Sequence, residues 1–303
     1  MDIQALDSAL GAVIFALGLI FGSFLNVCIY RMPRGLSIVS PRSACPNCGK
    51  QIAAYDNVPV LSWLWLRGRC RHCHARITPR YMIVELLLGL LFLACFAEFG
   101  PRAETVKCCT LSFLLVGLIF TDAETHILPD KLTLSGLALG LAWSLLIAVP
   151  GPLGFFYDRS ASPTPFLSLA DALIGAAVGA GFIWGAAALY LRLRGAEGMG
   201  MGDVKLMAMV GAFLGAALTL LVLATASVLG GLYGTMIVLN IFRKRWLRYR
   251  RNPGRSRPVA RAWQSASLSL RFYEMPFGVL LGSMAVLAMF AGQRILIWYL
   301  GRF

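Results

Sequence analysis

Two short acidic blocks and two cysteine pairs concentrate the chemistry in this sequence. The first block, LIFTDAETHILPDKL, carries Asp122, Glu124 and Asp130 at the end of an apolar run. The second, GMGMGDVKL over 198–206, leads through Gly198, Gly200 and Gly202 into Asp203, with Lys205 two residues on. Carboxylates brought from separate helices to one depth can share a proton. One then acts as a base on water while the other, protonated, polarises a carbonyl, which is the chemistry of an aspartic protease. Asp122 and Glu124 are two residues apart, so on a helix they point to nearly opposite faces and only one can meet a partner such as Asp203. Asp130 follows Leu128 and Pro129 and reads as an acid that stabilises a helix N-terminus. Asp203 admits the same plain reading, and GMGMG could be a simple glycine turn. Glycines also let backbone or substrate approach closely. A phosphate loop is disfavoured, because the stretch is not GxGxxG, no strand precedes it and no GK[ST] follows.

The cysteine pairs are CPNC (Cys45, Cys48) and CRHC (Cys70, Cys73), with 21 residues between them. That spacing fits a tetrahedral zinc ribbon in which each tight turn supplies two thiolates. A redox CxxC would open a helix of a thioredoxin-like unit, which is absent from the pattern. His72 and His74 flank Cys73 and read as surface residues. Cys28, Cys95, Cys108 and Cys109 lie in or beside apolar runs and read as small packing residues.

The elements that position these groups follow from composition. Of 303 residues 58% are hydrophobic and 14% charged, against about 25% charged in a usual soluble protein. The sequence predicts an all-α, polytopic membrane helix bundle with spans near 9–30, 82–100, 108–121, 132–149, 172–191, 206–223, 225–242 and 277–300. The sixth and seventh come from one apolar stretch, divided near Thr225 because it is too long for one crossing. The first has an acidic flank and no basic n-region, so it reads as a retained helix rather than a signal peptide. Residues 31–80 hold nine Lys or Arg and residues 243–271 hold ten. Eight spans with the N-terminus outside put 23 of the 28 basic residues in the cytoplasm.

That reading divides the chain into a first helix (1–30), a cytoplasmic zinc-ribbon-like loop (31–80) and a membrane-embedded region (81–303). The last contains an outside loop at 150–170 and a basic loop at 243–276 with Trp246 and Tyr249 set to rest on anionic headgroups. A reducing cytoplasm argues against disulfides between the CxxC pairs, and a metal would staple a loop too small for its own core. The net charge of +14 is a topology signal, and no nucleic-acid-binding pattern accompanies it. Glu85, one turn into the second span, reads as a site candidate or as a structural acid within reach of Arg80. An ion or proton transporter would need such acids near the midplane, commonly with inverted repeats. A non-catalytic membrane scaffold organised by the zinc loop would tolerate amidation of both aspartates.

In FGSFLNVCIYRMPRG (21–35), NVPVLSWLWLRGRC (57–70), TDAETHILPD (121–130), GMGMGDVKL (198–206) and MPFGVLLG (275–282), in that order, the chain resembles the bacterial type IV prepilin peptidases, which belong to the GxGD membrane aspartic proteases. The resemblance implies an inner-membrane endopeptidase with Asp122 and Asp203 as the dyad, cutting basic leaders from prepilins and type II secretion pseudopilins after a glycine. It also implies N-methylation of the new terminus with S-adenosylmethionine, at positions similar to Gly68 and Glu85. Two departures stand out: Tyr81-Met82 where the family carries Tyr-Pro, and Glu124 where a second aspartate is frequent. Neither touches the dyad.

Overall fold

The computed structural model describes residues 3–150, 165–195, 200–250, 259, 263–264 and 276–301. Helices dominate, and among the described residues β-structure is limited to the isolated bridges Ala44–Gln51 and Arg69–Arg76. In chain order the helices are α1 (Ile3–Arg31), the short α2 (Leu61–Trp65), α3 (Arg80–Phe99), α4 (Ala103–Thr125), α5 (Asp130–Ser144), α6 (Pro165–Arg194), α7 (Met201–Leu214), α8 (Ala216–Arg250) and α9 (Phe277–Leu300). Six of them, α1, α3, α4, α6, α8 and α9, are long and apolar enough to cross a membrane. With 15 and 14 residues, α5 and α7 extend only about 20 Å at 1.5 Å per residue.

Lipid-facing helices gain little from hydrophobicity alone, so close approach of small residues holds them together. On α1, Gly18 and Gly22 sit against the α3 backbone: a Cβ at Gly22 would lie 2.6 Å from Glu85 Cα, and one at Gly18 would lie 2.7 Å from Gly89 Cα. Gly175 and Gly179 of α6 meet Gly211 and the Met207 carbonyl of α7, with no room for a side chain. Around α7 lies the main core, with Leu111, Leu115, Leu118, Met207, Phe213 and Leu281. A second cluster of Leu25, Ile29, Val84 and Leu88 joins α1 to α3, and Met32 packs against both.

The apolar stretch after Asp203 does not break near Thr225, which lies inside α8. It breaks ten residues earlier, at Gly215, where φ is +80° and a Cβ would strike the Pro150 carbonyl. Both conditions demand glycine. The chain reverses there, since Gly179 touches Met207 before the break and Thr219 after it. A second correction concerns the basic region: Arg243–Arg250 continues α8 instead of starting a loop. Most of the rest of 243–276, like 151–164 of the 150–170 loop and Gly198 of the glycine block, lies outside the described residues.

Candidate active site

Three helix ends converge where α4 stops and α7 and α9 begin. Asp122 lies in the last turn of α4, buried to 5% exposure. That helix closes at His126, whose backbone takes a left-handed conformation (φ 52°) and donates its N–H to the Asp122 carbonyl at 2.9 Å. The Asp122 carboxylate accepts a backbone N–H from Val279 at 3.0 Å, at the start of α9, where Gly278 leaves room for it. A helix N-terminus is a natural seat for an anion because its first N–H groups lack partners and carry the positive end of the dipole.

Asp203 occupies the first turn of α7 and is half-buried. It lies at the same end of the bundle as Asp122, since one side chain, Leu128, meets the neighbours of both. Leu128 packs against Gly202, the residue before Asp203, and against Gly278, which also meets the Asp122 carboxylate. The sequence-derived pair is thus brought together by elements 81 residues apart in the chain. Gly200 precedes α7 as its extended N-cap.

The neighbouring acids take separate partners. Glu124 points away from Asp122 and pairs with Arg80 at the start of α3. Asp130 is the first residue of α5; it makes no side-chain cap but accepts from Lys205 Nζ at 2.6 Å, tying α5 to α7. Glu85 does not pair with Arg80. It accepts the Val60 N–H at 2.7 Å, while Arg80 pairs with Glu124. Gly68 (φ +65°) lies under the Trp63 ring, which covers the place of a side chain. The MPFG motif does not reveal the roles of Gly278 and Val279. Their signal is a Pro-Phe-Gly start to an apolar run, which marks a helix N-terminus without showing what it faces.

In the segment between α1 and α3 the four cysteines gather. The sulfurs of Cys45, Cys48, Cys70 and Cys73 lie within 4.8 Å of one another, and Cys45 and Cys73 are 3.7 Å apart. A tetrahedron with metal–sulfur bonds of about 2.3 Å has edges of about 3.8 Å, so the spacing suits a metal ion. Two equivalent turns build it. The Gly49 N–H returns to the Cys45 carbonyl and the His74 N–H to the Cys70 carbonyl, with both turn residues left-handed (φ 69° and 55°). His74 therefore serves as a backbone corner, and His72 and His74 are both exposed. The Ala75 N–H, aided by Asn47, pulls the Cys73 thiol down to about 6, which favours the thiolate a metal needs.

Comparison with known proteins now supplies the class. Residues 16–99 match the Bacterial Peptidase A24 N-terminal domain and residues 108–235 match the Type IV leader peptidase family. The chain belongs to the type IV leader peptidase family, and its apolar helices make it a multi-pass membrane member. It is 35% identical to the prepilin leader peptidase/N-methyltransferase of Aeromonas hydrophila over 96% of this chain and 94% of that one. The protein of the same name from Myxococcus xanthus is 44% identical over 75% of this chain and 62% of its own length. The one from Burkholderia pseudomallei strain 1026b is 37% identical over 74% and 75%. No solved structure matches the chain significantly.

Proposed function

We propose that this protein is an inner-membrane aspartic endopeptidase that removes the basic leader of type IV prepilins and type II pseudopilins and then N-methylates the new terminus. One observation carries the peptidase reading: Asp122 and Asp203, from different helices, lie at one end of the bundle, where Gly202 and Gly278 both meet Leu128. Membership of a leader peptidase family and the names of its relatives support the substrate and both activities. One aspartate, as carboxylate, takes a proton from water as it attacks the scissile carbonyl. The other, protonated, donates to the developing oxyanion. The proton taken from water then passes to the leaving amine as the carbon–nitrogen bond breaks. Holding the dyad at the cytoplasmic edge suits a substrate whose basic leader stays in water while its following helix stays in lipid.

In this reading the four cysteines hold a structural zinc ion, closed to substrate by its four protein ligands. The methyl donor is S-adenosylmethionine, which supplies an activated methyl group. Gly68 and Glu85 are engaged by the protein itself, so they shape the donor's surroundings rather than touch it. The test is a leader-cleavage assay on membranes carrying Asp122→Asn or Asp203→Asn. Each substitution is expected to lower cleavage by on the order of 10²–10⁴-fold or more, and normal processing by either variant would sink the dyad.

A further inference from the structure

The five-residue helix α2 wears its amphipathicity inside out. Leu61, Leu64 and Trp65 stand at i, i+3 and i+4, one face of a helix, and that face is open: they are 66%, 54% and 84% exposed. The opposite face is the one that packs. Ser62 Oγ donates to the Tyr55 carbonyl at 3.2 Å, and Trp63 donates Nε1–H to the Ile77 carbonyl at 3.3 Å while its ring covers Gly68. A short helix displaying two leucines and a tryptophan calls for an apolar or interfacial neighbour.

Its position says which neighbour. The residue before α2, Val60, has φ 61° and ψ −52°, a costly conformation for a β-branched residue. Its N–H is fixed at 2.7 Å to the carboxylate of Glu85, which is 8% exposed. Glu85 lies five residues into the spanning helix α3, about 7.5 Å along its axis. The headgroup zone on each side of a bilayer is about 5–8 Å deep. The anchor therefore holds the start of α2 at the depth where water gives way to acyl chains. Exposed Arg67 and Arg69 follow directly, placed to meet lipid phosphates.

We propose that α2 is an interfacial helix, with Leu61, Leu64 and Trp65 seated in the headgroup–acyl boundary of an anionic bilayer and Arg67 and Arg69 on its phosphates. Tryptophan suits that zone, with an apolar body and one N–H for the wet side. The proposal does not depend on the assignment of the dyad or on which side of the membrane the segment lies. Full-length protein labelled with fluorotryptophan and placed in anionic lipid nanodiscs tests it. Of the seven tryptophan resonances, that of Trp65 is identified by its loss in Trp65→Phe. It should lose most of its intensity to a nitroxide on the upper acyl chain and keep it in the presence of an aqueous gadolinium chelate. The reverse pattern would overturn the proposal. So would protection from both agents, which would mean that a second copy or another protein segment covers the face. Protection that arises only when prepilin is added would assign the face to substrate and likewise overturn it. Arg67→Gln with Arg69→Gln should weaken the nitroxide effect in anionic but not in zwitterionic nanodiscs. An unchanged effect in anionic nanodiscs would remove the lipid-phosphate contact from the proposal.

Discussion

Asp122 is held by backbone, since the Val279 N–H at 3.0 Å seats its carboxylate at the head of α9. Asparagine there keeps the shape and loses the charge, so Asp122→Asn should leave the thermal midpoint in detergent nearly unchanged while cleavage fails. Gly278→Ala makes the opposite case. Its new methyl would lie 2.9 Å from Asp122 Oδ2, and such overpacking costs about 1–3 kcal/mol. It should lower both the midpoint and the cleavage rate. The Lys205–Asp130 pair is part-exposed, and contacts of that kind contribute about 0–1 kcal/mol. Lys205→Met should therefore barely move the midpoint. Asp122 and Asp203 were legible as candidates because charge at the end of an apolar run is costly enough to stand out, while the choice of Asp122 over Glu124 rested on the family resemblance. The partner of Glu85 was not, since a backbone N–H 25 residues upstream leaves no mark on the letters.

The helices α6 and α7 meet through Gly175, Gly179 and Gly211, where backbone touches backbone. This small-residue contact sets the height of α7 and with it the height of Asp203. Gly211→Ala should separate the two helices, lowering the unfolding midpoint and slowing cleavage together, as parallel assays of the purified protein would show. The existence and order of the long helices were readable from hydropathy. The break at Gly215 was not, because Leu, Val and Ala continue through it and only the meeting with Pro150 fixes the turn. The inverted face of α2 was equally hidden. Five residues are too few for periodicity to say which side faces a protein and which a bilayer.

On the scale of the whole molecule, a small polar segment stands on a helical bundle and depends on its cysteines for a fixed shape. Purified under reducing conditions, the protein should carry about one zinc per chain. Cys45→Ser with Cys70→Ser should lose it and render 31–80 sensitive to protease, since segments of this kind fold only with their metal. The pair Asp56–Arg71 adds a pH dependence. The Arg71 hydrogen bond holds the Asp56 carboxyl below its ordinary value. Its stabilising effect is thus complete above the unfolded value of about 3.9 and disappears as pH falls through the lower folded value. The difference in midpoint between wild type and Asp56→Asn should stay constant from neutral pH down to about 4 and close below it. The cysteine spacing announced this segment, while its cis Ser40–Pro41 bond and its hold on α3 through Val60 became visible only in three dimensions. The burial of α7 bears on how the protein is made. Leu206 to Leu214 are all enclosed, so this helix has no face of its own to offer lipid. Its neighbours α5 and α6 leave the ribosome before it, whereas α8 and α9, which share its core, leave after it. The helix that carries Asp203 is therefore seated by protein rather than by the bilayer, and its enclosure is complete only when the last helix has joined the bundle.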